Sequence, residues 1–225
     1  MSVFLACMQL TGSSSSEVDV KSYEELNEIG TRTDNMQLLH QNLINTMSCH
    51  FWKRDYMKVV QLLALHKPSE HKRTLVVVRV FFEGIASLNL ARQTHQQDLR
   101  KKGELSLEKV LKWADLSTWN FENMALLLQA ELEYLNGDLE AARAAYEASI
   151  MSARDHKYLH YEALAHELYG IFCLENRMTG EGMKQLHYSF DKYKQWGAME
   201  KVKELQIFMG IVDPSYLRRE LQIQI

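Results

Sequence analysis

From Ser22 to about Met209, apolar residues return at steps of three and four with short polar breaks between. That is the spacing of residues sharing one side of an α-helix. It predicts helices over 22–30, 34–51, 54–66, 72–93, 95–116, 120–135, 139–154, 158–176, 179–195 and 198–209. In the clearest, Asn120–Leu135, the residues Leu128, Leu132 and Leu135 share an inward face and Asn120 is placed to cap the start. Gly137 ends that helix where a left-handed backbone is favoured, and Asp138 caps the alanine-rich helix that follows. Val76-Val-Val-Arg-Val-Phe-Phe has strand propensity, yet it runs into Glu83-Gly-Ile-Ala-Ser-Leu-Asn-Leu-Ala-Arg with no turn signal, so a buried helix is expected. Nothing alternates with period two. Most breaks are two to five residues long, which makes successive helices antiparallel neighbours.

Internal repetition distinguishes a stack of hairpins from a closed bundle. Gly137, Ala142, Tyr146 and Ser149 run in the order helix end, small, large, small; forty residues on stand Arg177, Gly182, Leu186 and Ser189. In the preceding helices Ala130 matches Gly170, Leu128 matches Leu168, and Leu132 matches Phe172, with a fainter copy at Tyr56, Val59 and Leu63. Small residues let two helices of a hairpin approach, and the large residue one turn on fills the space against the next hairpin. This is the packing of a tetratricopeptide repeat, lengthened from about 34 residues. The expected fold is all-α, a TPR-like right-handed stack of antiparallel helix hairpins (an α-solenoid). It would cover 21–210, with tails at 1–20 and 211–225; Thr11-Gly-Ser-Ser-Ser-Ser-Glu reads as a flexible linker.

Consecutive blocks resemble one family. They are Lys112-Trp-Ala-Asp-Leu-Ser-Thr-Trp-Asn-Phe-Glu-Asn, Leu128-Gln-Ala-Glu-Leu-Glu-Tyr-Leu-Asn-Gly-Asp and Ala142-Arg-Ala-Ala-Tyr-Glu-Ala-Ser-Ile. Tyr161-Glu-Ala-Leu-Ala-His-Glu-Leu and Tyr193-Lys-Gln-Trp-Gly-Ala-Met-Glu-Lys-Val follow in order. Together they are similar to the TPR-like helical region of multidomain signalling proteins that join a serine/threonine-kinase-like domain, a predicted ATPase, a GAF domain and a sensor histidine kinase. The resemblance covers roughly Ser22 to Leu205, and Tyr193, Trp196, Gly197, Ala198 and Lys201 are its most specific block. Thr118 departs from a common proline and Gly182 from a usual alanine. The chain has no positions matching the ATPase, GAF or kinase domains, so the resemblance carries over no catalytic residues.

Composition agrees with a helical domain: 46% of the 225 residues are apolar, 24% are charged, and Pro68 and Pro214 are the only prolines. A net charge of −3 argues against a surface built for nucleic acid or an anionic membrane. Cys7, Cys49 and Cys173 are odd in number and far apart, which suits a reducing compartment; a cytoplasmic location is expected.

Candidate chemistry fares poorly against simpler accounts. His166-Glu167-Leu168 has the start of a histidine-kinase phosphoacceptor box but continues Tyr169-Gly170-Ile171, so a helix-surface histidine is expected. The same pair fails as a zinc-protease site because Gly170 takes the place of the second histidine. His156 and His160 are spaced to share a metal, yet no third ligand is in register. Gly180-Glu-Gly182-Met-Lys184 lacks the strand and hydroxyl of a phosphate loop. Arg100-Lys-Lys-Gly is the densest basic cluster, diluted by Asp98, Glu104 and Glu108. Trp52, Trp113, Trp119 and Trp196 suit packing between hairpins better than a binding face. No metal, cofactor or catalytic residue is expected. The expected role is a non-catalytic module for protein–protein interaction or signal relay, with a protein or peptide partner (ATPase, GAF or kinase domains among them) on its concave face. The alternative is a fragment of an ATPase-coupled hybrid sensor histidine kinase.

Overall fold

Seven interhelical turns each pivot on one residue with positive φ: Asp34, Arg54, His95, Lys157 and Arg177 at 50–64°, Gly137 at 83° and Gly197 at 85°. A single left-handed residue stops a helix and reverses the chain within two or three residues. The computed structural model describes residues 23–65 and 73–214. Its described residues form ten helices and no strand: α1 Tyr23–Arg32, α2 Met36–Trp52, α3 Tyr56–Leu65, α4 Arg73–Thr94, α5 Gln97–Leu116, α6 Thr118–Asn136, α7 Leu139–Asp155, α8 Leu159–Glu175, α9 Thr179–Trp196 and α10 Met199–Val212. The expected linker Thr11–Glu17 and the tail 1–20 lie outside the described residues.

Most helix ends fall within two residues of expectation, and two of them change an expected cap or tail. Asn120 does not cap α6, which begins two residues earlier at Thr118; the Asn120 side chain instead donates to Ser117 Oγ at 2.9 Å and accepts from the Tyr158 hydroxyl at 2.7 Å. At the other end, α10 continues to Val212, closed by the Asp213 N–H donating to the Met209 carbonyl, so the helix enters what was expected to be tail. Asp138 caps α7 by accepting from the Ala141 N–H, and the valine-rich run is helical, with Val80, Phe81, Phe82 and Ile85 buried.

Successive helices pack as adjacent pairs, most extensively α4 with α5, α6 with α7 and α8 with α9. Contacts of α4 with α6 and of α6 with α8 place these helices in one row, backed by α5, α7 and α9. Small residues mark each crossing. A Cβ on Gly103 would stand 2.4 Å from the Leu88 side chain, and one on Gly84 would stand 2.8 Å from Ser106. Ala130 and Ala142 are fully buried in α6 and α7, where Gly170 and Gly182 are the counterparts in α8 and α9. The hydroxyls of Ser149 and Ser189 each reach across their pair to a backbone carbonyl, Asn123 O at 2.9 Å and Ala163 O at 2.8 Å. One bond in each of these two hairpins thus recurs at the same offset, fixing the rotation of α7 and of α9.

Candidate binding surface

Two buried glutamates organise the inner row. Glu131 on α6 is 1% exposed and Glu167 on α8 is 0% exposed, so each carboxylate requires charged or hydrogen-bonding partners in place of water. Glu131 receives Arg92 at 2.9 Å from α4, the Tyr146 hydroxyl at 2.6 Å from α7 and Asn89 at 3.3 Å. Glu167 receives Lys201 at 2.8 Å from α10, the Tyr193 hydroxyl at 2.6 Å from α9 and Arg54 at 3.4 Å. Burial alone would raise the Glu167 pKa; Lys201, Arg54 and the hydrogen bonds outweigh it and hold the carboxyl below its usual range. Burial and the neighbouring glutamate push the Tyr146 and Tyr193 hydroxyls well above theirs, so both remain donors.

Arg54 comes from the turn between α2 and α3, far from Glu167 in sequence. Its guanidinium lies between Glu167 and Glu204, 3.5 Å from the latter, with its carbon 5.0 Å from the centre of the Phe208 ring. Beside it, Trp52 packs edge-on to Tyr193 at 6.2 Å and against Trp196 at 5.1 Å and His160 at 6.4 Å. His160, enclosed by these rings and by Tyr161, is pushed by burial down to a pKa of about 4. The first described hairpins therefore fold onto the last ones, and Trp52 and Arg54 cover part of the inner surface.

Next to this contact a cavity of about 380 Å³ opens between α3, α4, α8 and α10. Leu168, Ile171, Leu174 and Phe208 give it apolar walls, while Arg54, Tyr56, Asn89, Gln93 and Glu175 supply polar groups. The Tyr56 hydroxyl is buried without a hydrogen-bond partner. A concave, largely apolar space with a few charged and amide groups suits an inserted side chain or small ligand.

The remaining predicted residues lie in the packing. Tyr146, Ser149, Leu186, Ser189 and Tyr193 are fully buried, Gly137 and Gly197 form turns, and Trp196 is half-buried against Trp52. His166 is not on the helix surface: it is 3% exposed, with Nδ1 2.6 Å from Gln185 Oε1, because α9 covers that side of α8. His156 ends α7 beneath the exposed ring of Trp119, and His160 sits in the aromatic cluster, so the two do not share one exposed face. Gly180 and Gly182 lie inside α9 rather than in a loop. Among the described residues no group of three or more His, Cys, Asp or Glu side chains is placed to hold a metal, and no helix is long and apolar enough to cross a membrane.

Sequence reading missed the Glu131 and Glu167 clusters. The available signal was a glutamate within the apolar face of a helix, as in Leu127-Leu-Gln-Ala-Glu131 and Ala163-Leu-Ala-His-Glu167. Such a residue demands a cation, but nothing local says that the cation comes from Arg92 or Lys201. Comparison of the chain with protein-family models, curated proteins and solved structures finds no match.

Proposed function

We propose that the chain is a TPR-like stack of helix hairpins, located in the cytoplasm, that acts as a non-catalytic module for protein–protein interaction or signal relay. The observation that carries this reading is the cavity of the inner row, in which Ile171, Leu168 and Phe208 face Arg54, Gln93 and Glu175. A peptide lying along α8 inserts an apolar side chain there and meets charged groups at the rim. Panning a displayed peptide library on the protein tests it. The expected result is peptides that bind the native chain and weaken at least tenfold with Ile171→Arg. Peptides insensitive to that change, or none at all, overturn it.

The second reading, a segment of an ATPase-coupled sensor histidine kinase, is favoured by the outer side of α10. There Ile207 and Ile211, one turn apart, are 63% and 74% exposed. Terminal repeats of a stack ordinarily present a polar outer side, so these isoleucines suit a helix covered by further hairpins. The coding sequence on either side decides: an upstream P-loop and a downstream GAF or kinase domain support this reading, and their absence removes it.

A further inference from the structure

α5 backs its hairpin, burying Leu99, Gly103, Ser106, Leu107 and Val110, half-burying Arg100, Trp113 and Ala114, and exposing the rest of its circumference. At about 100° per residue, the exposed half divides into two strips. One carries Glu104, Glu108, Leu111 and Asp115; the other carries Lys101, Lys102, Leu105, Lys109, Lys112 and Leu116, with Asp98 at its first turn. Of the three acids expected to dilute the basic cluster, Glu104 and Glu108 therefore stand to one side of it, and both are engaged locally: Glu104 with Arg100 at 2.8 Å and Glu108 with Lys112 at 2.6 Å. Asp98 lies at the helix N-terminus, where the backbone dipole favours it. Lys101, Lys102 and Lys109 make no ion pair among the described residues. Leu105, 46% exposed, is set between them, and Leu116, 84% exposed, follows at the end of the helix on the same strip.

We propose that this strip of α5 docks an acidic amphipathic helix of a partner protein. Leu105 and Leu116 are eleven residues apart, roughly 16 Å along the axis at 1.5 Å per residue. A partner helix lying along α5 meets both with apolar residues three turns apart, and its glutamates or aspartates then flank that ridge opposite Lys102 and Lys109. Charge fixes the choice of partner and the rate of encounter, and the leucines contribute buried area. An anionic bilayer requires a broader apolar face with aromatic anchors. A nucleic acid rewards lysines without leucines between them. The strip lies away from the α3, α4, α8 and α10 cavity, so it stands or falls independently of a ligand there.

The test uses the full chain and a labelled synthetic helix of about 18 residues with a leucine ridge flanked by glutamates, read by fluorescence anisotropy. We expect saturable binding that weakens about tenfold between about 50 and 300 mM salt, as screening of exposed charges requires. Lys102→Glu with Lys109→Glu weakens it at least tenfold and Leu116→Ser several-fold, both with unchanged helical circular dichroism. The proposal is overturned if a peptide with the same residues and scattered leucines binds equally. It is also overturned if the double variant binds as the native chain does, or if phosphatidylserine vesicles or duplex DNA bind through Lys102 and Lys109 while the acidic helix does not.

Discussion

Gly170 and Gly182 face each other so closely that a Cβ on Gly182 would stand 3.0 Å from the Gly170 carbonyl oxygen, and one on Gly170 would stand 3.1 Å from that of Gly182. The side chains of Leu174 and Leu186 lie nearer still, at 2.8 and 2.9 Å, but the carbonyls belong to the backbone, which cannot swing aside as a side chain does. Gly182→Ala gains about 1 kcal/mol of helix propensity but forces α8 and α9 apart, at a cost of about 1–3 kcal/mol. The expected outcome is net destabilisation of about 1 kcal/mol, read as a lower urea midpoint with the m-value unchanged. The double variant Gly170→Ala/Gly182→Ala loses more than the sum.

Lys201 has a side chain 1% exposed and opposes Glu167 at 0%. Lys201→Met leaves the carboxylate with Arg54 at 3.4 Å as its remaining basic partner, and loses about 3–5 kcal/mol, the cost of breaking a buried pair. Lys201→Met combined with Glu167→Leu loses less than the two single changes added together. Chemical denaturation of the four proteins closes the cycle.

Acid weakens the fold through His160. Its folded pKa, about 4, lies below the 6.5 of an ordinary histidine, so the unfolded chain binds the proton first as pH falls. The stability from keeping the ring neutral is complete above pH 6.5 and is lost progressively down to about pH 4, about 2–3 kcal/mol in all. Glu167, held below its ordinary 4.5, adds a loss only beneath that pH. Thermal midpoints between pH 7 and 4.5 are expected to fall for the native chain and to fall less for His160→Phe, the remaining loss coming from His166, whose pKa burial also lowers.

Arg177 pivots the α8–α9 turn at φ 64° and is exposed. A side chain in this region costs about 1–2 kcal/mol, offset in part by the greater freedom of glycine in the unfolded chain. Arg177→Gly is expected to stabilise by about 0.5–1 kcal/mol, visible as a higher melting temperature; Gly137→Ala, at φ 83°, moves it the other way.

The helices were legible because their periodicity is local: the Leu128 and Leu168 faces, the Gly137 turn and the Asp138 cap each rest on a few adjacent residues. One hairpin escaped recognition. Gly103, Ser106, Leu107 and Val110 of α5 are the buried counterparts of Ala142, Ala145, Tyr146 and Ser149, but their offset is thirty-nine residues, and a strict forty lands on Lys102 and Lys109. Tyr56, Val59 and Leu63, which resemble the repeat in sequence, are buried in α3 for another reason: they pack in the core that α2, α3 and α4 share. The inner surface was least legible. Whether Trp52 and Arg54 reach α8, α9 and α10 depends on how every helix pair between them is placed, which no short stretch encodes.

Arg54 meets Glu204 across 150 positions of chain. An open row of repeats frays from its ends, each unit answering only to its neighbours. Here the clasp formed by Trp52 and Arg54 ties the first described hairpins to the last, so neither set of these helices can peel away while the other stays seated. Amide exchange in α2 and α10 should consequently share one opening energy, and Arg54→Ala should split it into two.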